Sequence, residues 1–192
     1  MRFAICCAAV AAVGLATSAS AQTHQPPAIT VEEWSLPGGP ALPVVVEAGR
    51  SGLSGPREPA FSGAPLPPGD FTLTTTLIYQ HLRDGDEAGI ALRGANGGWV
   101  SIQLEHITPA LLIAARRHAP GEPHVHGRLI ATTAVPGWYE GRIGLRMQRE
   151  GTMIALAYRV EGGDWQSLGP PISDPTGDAA QAGVFAVDGA ER

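Results

Sequence analysis

Residues 137–189 read GWYEGRIGLRMQREGTMIALAYRVEGGDWQSLGPPISDPTGDAAQAGVFAVDG. Around Ile143–Arg149, Ile143, Leu145 and Met147 alternate with Arg142, Arg146 and Gln148. Within Met153–Val160, Ile154, Leu156, Tyr158 and Val160 alternate with Met153, Ala155, Ala157 and Arg159. A period of two sends successive side chains to opposite faces of an extended chain, so each run is a strand with one apolar face. Glu150-Gly151 joins the two runs, Gly162-Gly163-Asp164 turns again, and Val184–Val187 closes as a last apolar run. Alternating runs separated by glycine turns are the pattern of an antiparallel meander.

The same pattern extends upstream. In Phe71–Arg83, Phe71, Leu73, Thr75, Leu77 and Tyr79 share one face and Thr72, Thr74 and Thr76 the other. Asp84-Gly85-Asp86 leads to Gly89–Leu92, and Asn96-Gly97-Gly98 leads to Trp99–Ile107. There Val100, Ile102 and Leu104 oppose Trp99, Ser101, Gln103 and Glu105, the mark of an antiparallel sheet with one core face. Ile29–Leu36, Val44–Glu47, Ala110–Ala115 and Leu129–Ala134 read as further strands. Residues 49–69, rich in Gly, Ser and Pro and without period, are expected to be a surface loop. The Gly52-Leu53-Ser54-Gly55 within it lacks the Gly-x-Ser-x-Gly spacing of a nucleophile elbow. Ten or eleven short strands predict an all-β, two-sheet antiparallel jelly-roll sandwich.

Residues 1–21 have the three parts of a signal peptide: Arg2, an apolar run Phe3–Leu15, and Ala19-Ser20-Ala21 before the expected cleavage. The expected organisation is therefore signal peptide 1–21, flexible lead 22–28 and one domain 29–192, exported to the periplasm or medium and not held at a membrane after cleavage. Both cysteines, Cys6 and Cys7, leave with the signal, so the mature chain has no disulfide and no thiol nucleophile. All thirteen basic residues are arginine, which removes lysine chemistry. Loss of Arg2 takes the formal net charge from −5 to −6, against nucleic-acid binding.

From Trp99, and again from Arg142 to Trp165, the residues resemble a known superfamily. Tyr158, Gly162, Trp165, Leu168-Gly169 and Gly183-Val184-Phe185-Ala186 stand at motif positions of the concanavalin A-like lectin/glucanase superfamily. The likeness is to its small bacterial, laminin-G-like domains of the DUF1349 type, with Arg159 where Ser is usual and Glu161 where Asp is usual. It implies a jelly roll over roughly 71–187, and it assigns Trp99 and Trp165 structural places. The superfamily holds lectins, glycosidases and adhesive modules, so fold does not choose among them.

A glycosidase needs two carboxylates across the scissile bond. The Glu-x-Asp-x-x-Glu run of the superfamily's glucanases is absent, and Glu105 with Glu161 is the pair left for a hydrolytic alternative. A non-catalytic glycan-binding domain fits the residues better. Arg146, Gln148, Arg159, Gln103 and Glu105 occupy the non-core side of their strands, with Ala155 and Ala157 leaving space. The resemblance implies that this is one concave face. Trp138 and Tyr139, between Gly137 and Gly141, form the stacking pair of choice, with Trp34 as a further platform. A third reading is a structural or protein-interaction module of the envelope. His124 and His126, with His118 six residues upstream of His124 and Glu122 between, lack a third ligand at metal spacing, and Asp84 with Asp86 lacks the distal Glu of a calcium loop. No cofactor is expected, calcium at jelly-roll loops staying open, and a monomer with a glycan or other extracellular ligand is the expected working form.

Overall fold

The computed structural model describes residues 28–35, 44–47, 60–66, 69–80, 84–122, 127–135, 140–177 and 180–187. The expected signal peptide and all of the lead before Ala28 lie outside these residues. The described chain contains strands and turns and no helix.

Among the described residues, thirteen strands form two antiparallel sheets. The first contains β1 (Ala28–Ser35), β2 (Val44–Glu47), β4 (Phe71–Gln80), β9 (Glu140–Glu150), β10 (Met153–Val160), β11 (Gln166–Ser167) and β12 (Ile172–Ser173). Its order is β11-β10-β9-β4-β1-β2, with β12 also on β10. The second contains β3 (Ala60–Pro65), β5 (Glu87–Gly94), β6 (Trp99–Ile107), β7 (Ala110–His118), β8 (Arg128–Ala134) and β13 (Ala180–Val187), in the order β3-β13-β5-β6-β7-β8.

The alternation becomes packing between the sheets. Leu73, Leu77, Ile143, Leu145, Met147 and Ile154 of the first sheet meet Ile90, Leu92, Ile102, Leu104 and Ile113 of the second, all withdrawn from solvent. Each such side chain contributes about 1.5–3 kcal/mol by burial, offset by chain entropy. This is the two-sheet sandwich predicted from the alternating runs.

Three local expectations are corrected. Residues 60–65, read as part of a loop, are β3, the edge partner of β13. Their pairing is made by backbone, so no alternation announces it, and Gly63 permits the approach: a Cβ there would lie 2.7 Å from the Ala182 carbonyl oxygen. The β9–β10 loop is Gly151-Thr152, because Glu150 still pairs with Met153; Gly151 takes a φ of +58°. The next turn begins at Glu161, where φ is +51°, an uncommon region for a residue with a side chain. Two bonds hold it there: its N–H donates to the Arg142 carbonyl at 2.9 Å, and its Oε1 accepts from the Arg142 amide at 3.1 Å.

A buried charged side chain stands on the core side of the first sheet. Arg149 donates from Nε and Nη2 to the Gly69 carbonyl at 2.9 and 2.6 Å, and from Nη1 to Asp174 at 3.1 Å. Both side chains of this ion pair are buried. Asp174 also accepts from the amide and hydroxyl of Thr176, and the adjoining Pro175 carbonyl accepts from Asn96 in the β5–β6 turn at 3.1 Å. The loop 174–177 thereby ties the two sheets together at one end. Replacing Arg149 with Ala leaves Asp174 buried without its cation. Urea unfolding is expected to show a loss of about 3–5 kcal/mol. Arg128→Ala, on an exposed residue of β8, is expected to stay within about 0.5 kcal/mol.

Candidate functional site

The strand register of the second sheet builds a polar surface on its outer side. Ala88, Ile90 and Leu92 of β5 and Val100, Ile102 and Leu104 of β6 point into the core, so their neighbours point out. Four rows of outward residues result. They run Gln181–Arg93–Trp99–His118, Gly183–Ala91–Ser101–Arg116, Phe185–Gly89–Gln103–Ala114 and Val187–Glu87–Glu105–Leu112. Gly183, Ala91, Gly89 and Ala114 keep the middle low.

Several of these outward side chains are nonetheless buried. Ser101 is 1% exposed, Gln103 2% and Glu105 3%. Polar groups withdrawn from water require partners, and these supply one another. Ser101 Oγ donates to Gln103 Oε1 at 2.6 Å. Gln103 Nε2 donates to Glu87 at 2.8 Å and to Glu105 at 2.9 Å. Arg116 grips Glu105 with two bonds, from Nε at 2.6 Å and from Nη2 at 3.1 Å. Glu87 and Arg116 are half-buried, forming a rim around the buried floor. At one end Trp99 stacks on His118, with ring centroids 5.9 Å apart and planes 18° from parallel. At the other flank Phe61 carries the Arg93 guanidinium 4.4 Å above its ring.

With both carboxylates ionised, this network holds two negative charges and one positive. Burial, and then the neighbouring Glu105 carboxylate, raise the pKa of Glu87; Arg116 and the bond from Gln103 oppose the shift. The hydrogen bond to Glu105 raises Arg116 in turn, keeping the guanidinium charged. The face therefore presents an acid that is easily protonated, beside a carboxylate neutralised by arginine.

Gln103 and Glu105 are thus in the site, while Arg146, Gln148 and Arg159 are not. Those three lie on β9 and β10, on the outer face of the opposite sheet, so the single concave face expected to hold all five is two faces. The ion pair of Glu105 is with Arg116. Glu161 belongs to a turn of the first sheet, so the partner carboxylate of Glu105 is Glu87. Trp165 serves as a ring for Arg146 and Arg159. Trp34 lies in β1, in the first sheet. Trp138, Tyr139, His124 and His126 lie outside the described residues.

The weak metal candidates are engaged otherwise. Asp84 accepts from the Thr108 amide at 2.7 Å, and Gly85 and Asp86 join the His106 backbone, fastening one turn to another. His118 is against Trp99. Among the described residues no group of three His, Cys, Asp or Glu side chains is placed to hold a metal. Sequence reasoning missed Glu87, which heads a strand read as starting at Gly89, and Arg116, which follows a run read as ending at Ala115.

The raised pKa of Glu87 has a sign that can be tested. The folded state binds the Glu87 proton more tightly than the unfolded chain, so its contribution is fully present below the unfolded carboxyl pKa and is lost as pH rises through the folded value. Glu87→Gln keeps an acceptor for Gln103 and removes the titration. Thermal melts from pH 4 upward, to about pH 8, are expected to show a smaller decline in the variant and a higher Tm at neutral pH.

Residues 45–186 match the family described as Beta xylosidase C-terminal Concanavalin A-like domain. No curated protein matches the sequence. Among solved structures, the fold is shared with a GH43_12 protein from capybara gut metagenome, at 15% identity and TM-score 0.51 over 62% of this chain. It is shared with a xylan beta-1,4-xylosidase from Bacillus halodurans C-125, at 13% identity and TM-score 0.57 over 68%. A functionally unknown protein from Saccharomyces cerevisiae matches at 19% identity and TM-score 0.53 over 67%. The matched regions are 24%, 27% and 65% of those chains, so this chain spans about a quarter of the first two. At these identities the structures speak for the fold alone. The family match covers well over half of the sequence, and the chain belongs to the β-xylosidase C-terminal concanavalin A-like domains.

Proposed function

We propose that this chain is an exported, monomeric, non-catalytic domain that binds a glycan on the outer face of the second sheet. The observation that carries this reading is the bonded row Ser101–Gln103–Glu105–Arg116, held rigid on a face turned away from the core. A sugar-binding site needs planar hydrogen-bonding groups in fixed positions beside an apolar wall. The partly exposed Glu87 and Arg116 supply the first, each with lone pairs or N–H groups beyond those spent on the network. The Trp99–His118 stack supplies the wall. The signal peptide pattern of residues 1–21 supports export. Because the family is named for β-xylosidases and one structure of this fold is a xylan beta-1,4-xylosidase, xylan chains are the first ligand class to test.

One observation favours a second reading, glycoside hydrolysis by this domain itself. Glu87 and Glu105 are directly opposed, and burial raises the pKa of Glu87, as a general acid requires. Against it, Arg116 holds both oxygens of Glu105, which masks that carboxylate as a nucleophile.

Calorimetry with xylo-oligosaccharides is expected to show binding that is roughly tenfold weaker in Glu87→Ala, the scale of one lost charge-assisted hydrogen bond. Ala91→Leu, which sets a bulky side chain beside Ser101 on this face, is expected to abolish it. Met153→Ala, exposed on the first sheet, is expected to leave it unchanged. Silence on xylan and on a panel of other neutral glycans would contradict the glycan reading. Release of reducing sugar, lost in Glu87→Gln, would establish the hydrolytic one.

A further inference from the structure

The outer face of the first sheet carries a different chemistry. Arg146 on β9 stands opposite Ala157, and Arg159 on β10 stands opposite Gly144, so the two arginines are diagonal neighbours on one face. Both guanidinium carbons lie over the ring of Trp165, 4.5 and 4.8 Å from its centroid. Gly144 makes room for this arrangement, since a Cβ there would lie 2.7 Å from both Cγ and Nε of Arg159.

Neither guanidinium forms a hydrogen bond or an ion pair with any described residue. The acids around them do not answer the charge. Glu161 accepts from the Arg142 amide, Glu150 accepts from Gln148, and Asp164 precedes Trp165 without pairing with either arginine. Two like charges gathered at one ring repel each other, and the chain as a whole is acidic, so the pair is a local positive feature on a negative background. Contact with an aromatic face leaves the N–H groups of a guanidinium unspent, and those are the groups that take an oxyanion in paired bonds. Rows of hydroxyl and amide groups continue from the arginines, with Thr72 opposite Gln148 on the neighbouring strand. A free phosphate would use the arginines only, whereas an extended polymer would use the rows as well.

We propose that Arg146, Arg159 and Trp165 form a second site, one that takes the oxyanion substituents of an acidic polysaccharide. The substituent is a uronate carboxylate or a sulfate ester. It lies on the opposite side of the sandwich from the neutral-glycan face and is independent of it.

Affinity electrophoresis through polygalacturonate, dextran sulfate or unmodified dextran tests the proposal. Retardation by polygalacturonate or dextran sulfate, weakened by salt and absent in dextran, is the expected result, and the polymer that retards names the substituent. Arg146→Gln and Arg159→Gln are each expected to weaken retention roughly tenfold. Arg146→Lys, which keeps the charge but loses the fork, is expected to weaken it as well. Trp165→Leu is expected to weaken it with both arginines still present. Arg128→Gln removes the same charge from β8 and is expected to change nothing. No retention by either polyanion would overturn the proposal, and so would equal losses in Arg128→Gln and Arg146→Gln. Xylo-oligosaccharide binding through the Glu87 face is expected to persist in all these variants, so failure of one site is visible apart from failure of the other.

Discussion

A carboxylate withdrawn from water needs hydrogen-bond partners in the protein in place of the water. Glu105 is such a group, and the arrangement of the second sheet around it follows from that need. Arg116 reaches it from β7 with two bonds, Gln103 from two residues along β6 with one, and Glu87 shares the same amide from β5. These contacts exist at a single register. A slip of one residue between β6 and β7 would send Arg116 to the core side and bring Ala115 outward. The apolar face specifies the same register, because Ile102, Leu104 and Ile113 must all point inward. Core packing and the polar network therefore agree, and each makes the other more specific.

The two outer faces of the sandwich differ in how they treat charge. On the second sheet, charge is paired and sunk, with small residues in the floor and aromatic side chains at the margins. On the first, Arg146 and Arg159 are left to Trp165 alone. One face suits hydroxyl-rich neutral sugars, where rigidity of the donors and acceptors sets selectivity. The other suits a negative substituent, whose attraction is long-ranged and sensitive to salt. The chain thus presents two surfaces with different side-chain chemistry on opposite sides of one core.

Much of the fold was legible because alternation reports burial directly. Met153–Val160 and Val44–Glu47 begin and end where the residues indicate, and Phe71, Leu73, Leu77 and Tyr79 are buried together as their spacing requires. Alternation says which side of its own strand a residue takes. It does not say which sheet the strand joins, and for that reason Arg146 and Gln103 looked like members of one surface. Pairing between distant strands, such as β13 with both β3 and β5, leaves no local mark either. The site suffered most at strand ends. Glu87 follows an acidic turn and resembles part of it, and Arg116 sits beyond an apolar run that stops at Ala115. Glu161 stands in the sequence as a possible partner for Glu105, yet its carboxylate is spent holding a left-handed turn.

The central claim is that the outer face of the second sheet is the ligand face for neutral glycan. Amide chemical-shift mapping of the isotope-labelled chain, titrated with a xylo-oligosaccharide, addresses it most directly. The account predicts shifts clustered at residues 87–91, 101–105 and 114–118 of β5, β6 and β7, with β9 and β10 quiet. Shifts confined to β9, β10 and the turn at Trp165 would contradict it, and would move the neutral-glycan site to the opposite sheet.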